Sequence, residues 1–475
     1  MVNKKKVLLV EPSDREFYKD AKVKDVVPNS VSLTLATIGS TLLEAGHEVK
    51  ILDLNHALSP AKTFVDTITS FKPDILGISF TTPLFYMALE MVKMAKEKNP
   101  NLVAIGGGAH ASGYPERTLE ESPFDIVCVG EGDFTIQEIA NDMPLDNING
   151  IAYRNAEGKI IKTGPKPFID DLDTLPMPAW HLFDVEKYVI PKFTARHSPV
   201  GWMETSRGCP WGCTYCTKSV HGKNFRVKSV KRVVDEIEHM QRHGFKEFQI
   251  ADDSFTTLME RSEEICDEII RRDIKMPWVA LTGIRVDRVR PELLKKMRKA
   301  GCYRMFFGIE SGNQEVLKRI KKNITLDQVR EAVKMTKDAG IEPWGSFMVG
   351  LPEETEQTME DTIQFAKSLE LDRVKCTITI PLPATPLHKE YMSRGLIPEE
   401  NWTEYNLYKP ARELYTHPTL DWDTIERYHN RFYKEFYFRP KYIAYRFFKD
   451  VKDGMLWTHL KVLAKIRWNS STAGH

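Results

Sequence analysis

Three of the seven cysteines, Cys209, Cys213 and Cys216, form a Cys-x3-Cys-x2-Cys pattern. Thiolates are soft ligands that suit iron-sulfur clusters, and three of them can hold three irons of a 4Fe-4S cubane while the fourth iron stays open. Glycines and a proline in the same loop allow the backbone to wrap closely around a cluster. The pattern therefore predicts a cluster with one iron open to a substrate or cofactor.

Two other interpretations of these cysteines remain open at this point. A structural zinc site would need a fourth ligand, and His221 is the only candidate within a few residues. The cysteines could also be inert core residues. The odd total of seven does not fit a disulfide framework and favours a reducing interior.

The elements that must position this loop follow from the apolar pattern after residue 199. Short apolar runs alternate with helical patterns, among them helices at residues 230–243, 291–300 and 326–339. The six predicted strands are residues 202–205, 247–251, 278–282, 304–309, 342–348 and 374–379. This alternation predicts a parallel (β/α)6 barrel or part of one, over residues 199–390, with its site at the carboxyl ends of the strands.

The amino-terminal part has a similar rhythm, with crossover helices predicted at residues 33–45 and 87–99. The five predicted strands are residues 7–10, 48–54, 74–80, 102–105 and 124–129. We expect an α/β fold here, a doubly wound, Rossmann-like parallel sheet over residues 1–140. Residues 141–198 are predicted to be a linker with a hairpin at 150–163, and residues 391–475 a mostly helical region.

The cysteine loop and the strand ends behind it resemble the radical S-adenosylmethionine (SAM) superfamily, over roughly residues 200–386. Tyr215 holds the place of the aromatic residue that usually precedes the third cysteine in that family. The resemblance implies a 4Fe-4S cluster, SAM, and polar SAM contacts at successive strand ends. The residues at those positions are Asp252, Asp253, Arg285, Glu310 and Ser311. Alternatively, the two aspartates cap a helix, and Arg285 only pairs with Asp287.

The first 140 residues resemble the cobalamin-binding domain that precedes the barrel in a large radical SAM subfamily. The residues that carry this resemblance, and that it implies as cofactor contacts, are Ser79, Gly106, Gly107, Gly108, His110, Gly130, Glu131 and Gly132. The Asp-x-His-x-x-Gly motif that ligates cobalt in cobalamin methyltransferases is absent, as it is in many radical SAM relatives that hold cobalamin with no histidine on cobalt. The alternative is a degenerate domain that binds no corrinoid.

Together these resemblances imply a cobalamin-dependent enzyme of the group that contains class B radical SAM methyltransferases and anaerobic magnesium-protoporphyrin ester cyclases. Such an enzyme cleaves SAM reductively to a 5′-deoxyadenosyl radical and methylates an unactivated carbon. An oxidative ring closure with the same cofactors and a non-catalytic corrinoid or metal sensor are the alternatives. The resemblance further implies a small-molecule substrate and a reductase, flavodoxin or ferredoxin as electron donor. The sequence identifies no catalytic side chain.

The carboxyl-terminal region is basic and aromatic: residues 431–467 contain ten Lys or Arg and three acids. It could pack on the barrel, bind a membrane surface peripherally, or bind nucleic acid. The formal net charge of +1 gives no global attraction to nucleic acid, and we expect no such partner. We expect a cytoplasmic protein without a signal peptide, with membrane association and an apolar or lipid-like substrate as further expectations.

Overall fold

The structure is a computed structural model that describes residues 3–17, 30–192, 194–398, 401–405 and 411–457. The chain divides into two compact units. The first comprises Met1–Tyr188 together with two later segments, Thr217–Lys228 and Asn401–Tyr405, and the second comprises the rest. Because these units gather segments from distant parts of the chain, the predicted boundaries at residues 140, 198 and 390 stay predictions.

The first unit is built on a seven-stranded sheet in the order β2-β1-β3-β4-β5-β6-β7. Its strands are β1 (Lys6–Glu11), β2 (Glu48–Asp53), β3 (Ile75–Ser79), β4 (Val103–Gly107), β5 (Ile126–Cys128), β6 (Ile151–Arg154) and β7 (Ile160–Lys162). Its helices are α1 (Asp14–Phe17), α2 (Leu33–Glu44), α3 (Pro60–Phe71), α4 (Phe85–Lys98), α5 (Ala109–Gly113), α6 (Pro115–Glu120) and α7 (Thr135–Ala140). Strands β1 to β5 are parallel, as predicted for a doubly wound sheet.

Apolar runs that are covered on both faces form the central strands of this sheet. Val7, Leu8, Leu9 and Val10 in β1 are almost wholly buried, which is typical of a parallel strand between two helical layers. The predicted hairpin is present as β6 and β7, and both strands run antiparallel to their neighbours. The hairpin therefore extends the first sheet beyond β5.

The second unit contains a six-stranded parallel sheet in the order β8-β11-β12-β13-β14-β15. The strands after residue 199 are β8 (Val200–Met203), β9 (Ser206–Arg207), β10 (Arg226–Val227), β11 (Glu247–Ile250), β12 (Trp278–Ile284), β13 (Cys302–Glu310), β14 (Glu342–Val349) and β15 (Arg373–Ile378). Strand β10 lies in the segment that belongs to the first unit. The order of the sheet follows the order of the chain, so the predicted partial barrel is confirmed.

Helices connect successive strands of this sheet and continue beyond it. They are α8 (Val230–Arg242), α9 (Met259–Arg271), α10 (Pro291–Lys299), α11 (Gln314–Arg319), α12 (Leu326–Asp338), α13 (Glu356–Ser368), α14 (Pro386–Ser393), α15 (Trp422–Tyr437) and α16 (Pro440–Lys452). Capping boxes at Thr325 and Thr355 start α12 and α13. The predicted helical carboxyl-terminal region is confirmed for its described residues, whereas residues 458–475 lie outside them. Across the described ranges no helix is long and apolar enough to cross a membrane.

Candidate functional site

The three cysteines of the predicted cluster loop differ from the other four in their access to solvent. Cys209 and Cys213 are half-buried and Cys216 is exposed, whereas the other cysteines lie inside the two cores. Burial raises the pKa of Cys128 and of Cys302 to about 12, and it raises the pKa of Cys266 and Cys376 as well. Because a metal binds the thiolate, the loop cysteines are the ones suited to ligation.

The loop that carries these cysteines follows β8 and β9, at the carboxyl end of the first strand of the six-stranded sheet. Backbone hydrogen bonds fix it on two sides. Thr214 N donates to Ile320 O at 3.1 Å, and Leu387 N donates to Thr214 O at 2.9 Å. Gly208, next to Cys209, has a φ of +85°, which favours glycine.

A single metal ion would need three or four ligands around one point. No three His, Cys, Asp or Glu side chains in the described ranges are grouped in that way. His221, the fourth ligand considered for zinc, has Nδ1 at 3.3 Å from Glu131 Oε1 in the first unit. A 4Fe-4S cluster does not require such a grouping, because each thiolate binds a different iron. The donor set therefore fits a cluster.

Tyr215, Glu310 and Lys322 form a buried network beside the cysteine loop. Tyr215 Oη donates to Glu310 Oε1 at 3.0 Å, and Lys322 Nζ donates to the same oxygen at 2.9 Å. Burial, followed by Glu310 and Cys213, raises the pKa of Tyr215 well above its usual value, so its hydroxyl stays protonated. Lys322 stabilises the charge of the Glu310 carboxylate.

Glu310 itself stands on an irregular piece of backbone at the end of β13. Its φ is +69°, and the pairing with β14 shifts register between Gly308 and Glu310. A Cβ at Gly308 would lie 2.7 Å from Glu310 Oε1 and 2.8 Å from Lys322 Nζ. Such bulges redirect a side chain at the end of a strand, and they are frequent beside active sites.

Arg285, after β12, is buried and donates to several acceptors. Its Nε donates to Asp287 Oδ1 at 2.9 Å, and its Nη1 donates to Lys322 O at 2.9 Å. Its guanidinium carbon lies 3.9 Å from the ring centroid of Trp211, inside the cysteine loop. The pairing with Asp287 that the sequence suggested is present, with Arg285 buried and Asp287 half-buried rather than both on a solvated surface.

Asp252 lies at the end of β11 and accepts hydrogen bonds from the residues that lead into the cysteine loop. Thr205 N and Thr205 Oγ1 donate to it at 2.5 Å each, and Ser206 Oγ donates at 2.6 Å. Burial raises the pKa of Asp252 despite these donors. The arrangement holds the start of the loop in place, whereas Asp253 is exposed.

Ser311 is buried in the second unit, where its Oγ lies 3.1 Å from Thr362 Oγ1 in α13. Beyond β11, three hydroxyls with buried oxygens lack a hydrogen-bond partner among the described residues, and Thr257 Oγ1 is one of them. Ser254 Oγ and Thr256 Oγ1 are buried and have no hydrogen-bond partner among the described residues. Buried hydroxyls are rarely left unpaired, so these strand-end groups fit a polar ligand such as SAM.

The first unit presents glycines where the second presents charged side chains. Gly106 and Gly107 end β4 beside Ser79, which pairs with Gly107, and Gly108 follows with a φ of +98°. A Cβ at Gly108 would lie 2.6 Å from Phe80 O, whereas one at Gly107 would meet nothing within 4 Å. Gly107 thus leaves open space beside the backbone, which fits the close approach of a flat macrocycle.

Glu131 lies between Gly130 and Gly132 after β5, and donors surround its carboxylate. Arg226 Nη1 donates to both of its oxygens at 2.9 Å, and Ile169 N donates to Oε2 at 2.9 Å. Both side chains of the Glu131–Arg226 pair are buried. Through these bonds Glu131 ties the segment after Cys216 to the edge of the first sheet.

His110, which the sequence offered as a cobalamin contact, is buried in an aromatic cluster of the first unit. Its Nδ1 lies 3.2 Å from Thr82 Oγ1, and its ring lies 4.8 Å from those of Phe85 and Trp402. His110 is thus a hydrogen-bonded group within the core of the first unit. Its contact with cobalamin stays a prediction, as do the other individual cofactor contacts.

Comparison with known proteins identifies the two halves of the chain. The radical SAM superfamily model matches residues 203–366, and the B12 binding domain model matches residues 23–140. An uncharacterized methyltransferase of Pyrococcus horikoshii is 35% identical over 447 residues, which are 92% of this chain and 93% of that protein. The chain belongs to the cobalamin-dependent radical SAM enzymes.

A second relative and a solved structure of similar fold extend the comparison. The anaerobic magnesium-protoporphyrin IX monomethyl ester cyclase of Rubrivivax gelatinosus is 31% identical, with 81% of this chain and 69% of the cyclase aligned. The solved structure of the radical SAM methyltransferase TsrM from Kitasatospora setae, with cobalamin and a 4Fe-4S cluster bound, has a TM-score of 0.68 at 17% identity. That match covers 84% of this chain and 76% of TsrM.

The predicted family, fold class and cofactors are therefore confirmed: this radical SAM enzyme uses a 4Fe-4S cluster, SAM and cobalamin. Sequence reasoning missed two of the charged residues that complete its networks, Lys322 and Arg226. A lysine in a short turn after a helix resembles any solvated surface lysine. Lys322 and Arg226 differ from solvated surface residues because Lys322 pairs with the buried Glu310 and Arg226 pairs with the buried Glu131.

Proposed function

We propose that this radical SAM enzyme transfers a methyl group to an unactivated carbon of a small-molecule substrate. The observation that carries the proposal is the presence, in one chain, of three accessible loop cysteines and a glycine edge with open space at Gly107. The similarity to a methyltransferase along nearly the whole chain supports it.

In this proposal Cys209, Cys213 and Cys216 hold the cluster, and the glycine edge at residues 106–108 receives cobalamin. When bound, the cluster and SAM supply a radical that takes hydrogen from carbon, while cobalamin carries the methyl group. The contribution of the protein is to position these groups and to exclude water.

The side chains at the strand ends have separable tasks in the proposed site. Glu310, with its charge balanced by Lys322, accepts hydrogen bonds from SAM. Tyr215 Oη donates to Glu310 Oε1 and so orients this carboxylate. Arg285 and Asp252 act as positioning residues, since their hydrogen bonds hold the turn at Lys322 and the start of the cysteine loop. Asp253 and Ser311 are the remaining proposed SAM contacts.

The proposal is tested on the full chain, reconstituted anaerobically with iron, sulfide and cobalamin. With dithionite and SAM we expect two products by mass spectrometry, 5′-deoxyadenosine and S-adenosylhomocysteine. Cys213→Ala is expected to lower 5′-deoxyadenosine at least 1,000-fold and to lower the iron content, because the cluster loses a ligand. Cys302→Ala, which changes a buried cysteine, is the matched control and is expected to retain both.

Wild-type protein that forms no 5′-deoxyadenosine, or Cys213→Ala protein that forms as much as wild type, would contradict the proposal. Ring closure is the second candidate, favoured by the 31% identity to the protoporphyrin ester cyclase. It predicts 5′-deoxyadenosine without stoichiometric S-adenosylhomocysteine. The ratio of the two products therefore separates the two reactions.

Two further proposals concern partners. Reductive cleavage needs an electron donor, and a flavodoxin, a ferredoxin or a dedicated reductase is the proposed kind. We also propose an apolar or lipid-like substrate and a peripheral membrane contact through the carboxyl-terminal helices. The exposed apolar side chains of α16 support this contact.

A further inference from the structure

Helix α16 is attached to the second unit by its polar side. Tyr442 Oη donates to Asp372 O at 2.7 Å, and Lys449 Nζ lies 3.1 Å from Glu342 Oε1. Arg446 Nη2 donates to Asp450 Oδ1 at 2.6 Å. Asp450 is the only fully buried residue among those of α16. The side of the helix that faces the protein thus consists of charged groups and of Tyr442, whose ring also packs against Phe436 and Tyr437.

The opposite side of α16 is apolar and exposed. Ile443 and Phe447 are each 51% exposed, Val451 is 54% exposed, and Phe448 is 71% exposed. Their spacing of four residues, with Phe448 adjacent, places them on one face of the helix. The preceding helix α15 has the ordinary arrangement, with Ile425, Phe432 and Phe436 buried. Helix α16 therefore has the reverse of the usual amphipathic orientation.

Exposed lysines flank this apolar face, with one exposed acid, Asp453, after the helix. Lys441 and Lys452 are exposed at the two ends of the helix, and Trp457 beyond it is 76% exposed. After Asp453 the sequence contains no Asp or Glu and three further Lys or Arg, which lie outside the described residues. Because the whole chain has a net charge of only +1, this positive charge is a local feature.

We infer that α16 lies on the surface of a membrane that contains anionic lipids, with Ile443, Phe447, Phe448 and Val451 among the acyl chains. The inference rests on the proposed peripheral contact and names its surface and the lipid class. Aromatic and aliphatic side chains with flanking lysines are typical of interfacial helices, and the lysines attract anionic headgroups. A helix of 13 residues is about 20 Å long and lies on a bilayer without spanning it.

A second copy of the chain fits this face less well. A symmetric dimer would bring the same positively charged surface of two molecules together, which like-charge repulsion disfavours. An anionic lipid surface instead complements both properties of the face, its rings and its charge.

The test is flotation of the reconstituted full chain with vesicles. Vesicles of phosphatidylcholine with 30% phosphatidylglycerol are compared with vesicles of phosphatidylcholine alone. We expect wild type to bind the anionic vesicles at low salt and to bind at least tenfold less in 1 M salt. The double change Phe447→Ser with Phe448→Ser is expected to lower the bound fraction at least tenfold. Leu58→Ser, at an exposed leucine of the first unit, is the matched control and is expected to leave it unchanged.

Three outcomes would overturn the inference. They are wild type that binds neither vesicle, serine variants that bind like wild type, and a dimer in light scattering that the two serines dissociate, which would assign the face to a second copy. Both Phe side chains are exposed, so the variants are expected to keep the melting temperature. SAM cleavage in solution is measured in parallel, and its failure would contradict the proposed function without changing the vesicle result.

Discussion

The carboxyl ends of the parallel strands in the two sheets carry different chemical groups. At the six-stranded sheet these groups are charged side chains such as Asp252, Arg285 and Glu310. Each is buried and forms hydrogen bonds with neighbouring groups of the protein. At the seven-stranded sheet, β4 ends in consecutive glycines, and Gly107 leaves open space where a side chain would be. A small charged ligand is recognised by placed side chains, whereas a broad ring needs a bare backbone. The charged edge is therefore suited to SAM, and the glycine edge is suited to cobalamin.

The largest effect is expected from Glu310→Gln in the charged edge. The change leaves the Lys322 ammonium buried without its carboxylate, which costs about 3 kcal/mol in the free energy of unfolding. We also expect SAM affinity to fall at least tenfold, measured by equilibrium dialysis. Urea denaturation measures the change in the free energy of unfolding.

Two variants sharpen this prediction. Glu390→Gln, at an exposed pair with Arg394, is expected to change stability by less than about 1 kcal/mol. Adding Lys322→Met to Glu310→Gln is expected to recover part of the lost stability, because both buried charges are then removed. A Glu310→Gln protein as stable as wild type would mean that the buried pair carries no such energy.

Both edges also hold a buried carboxyl group with a raised pKa. Burial, assisted by Asp53, raises the pKa of Glu11 at the end of β1 to about 8, and burial raises the pKa of Glu354 after β14 to about 8. The unfolded chain releases these protons near pH 4.5, whereas the folded chain holds them until about pH 8. The folded state therefore binds more protons in this window, and stability falls as pH rises through it.

Between pH 6 and pH 8 the loss is at most about 3 kcal/mol for each group. Glu11→Gln and Glu354→Gln are expected to reduce this loss in urea denaturation followed at both pH values. Glu353→Gln, the exposed neighbour of Glu354, is the control and is expected to keep the wild-type slope. An unchanged slope in Glu354→Gln would show that this carboxyl group is already ionised at pH 6.

The smallest effect is expected at the glycine edge, from Gly107→Ala. The new methyl group meets no atom within 4 Å, so folding is unchanged, but it occupies the open space. We expect about tenfold weaker cobalamin retention, or about 1.4 kcal/mol, read from the visible spectrum after gel filtration. Gly108→Ala is the comparison variant, because its methyl group would lie 2.6 Å from Phe80 O and destabilise the first unit itself. Full cobalamin retention in Gly107→Ala would remove this edge from the cofactor site.

Much of the fold could be predicted from the sequence because its signal is local. Continuous apolar runs such as residues 7–10 mark strands that are covered on both faces, and their order along the chain gives the order of the second sheet. The cysteine triad and the strand-end residues were also predictable, since their spacing and sequence order are visible directly.

The networks were not predictable, because their partners are distant in sequence. Glu131 meets Arg226 across 95 positions, and Arg285 meets the turn at Lys322 across 37. A buried ion pair has no local pattern, so the sequence could not show that the carboxylates of Glu131 and Asp252 accept hydrogen bonds from protein donors. The sequence likewise gave no sign that the hairpin would extend the first sheet.

The chain enters the first unit three times, with Met1–Tyr188, Thr217–Lys228 and Asn401–Tyr405. A gene fragment that stops after Tyr188 would leave the Glu131 carboxylate without Arg226 and the His110 ring without Trp402. Recombination at a single junction therefore could not exchange the complete first unit between relatives. A functional chimera between relatives would need three matched grafts, which couples the evolution of the two halves.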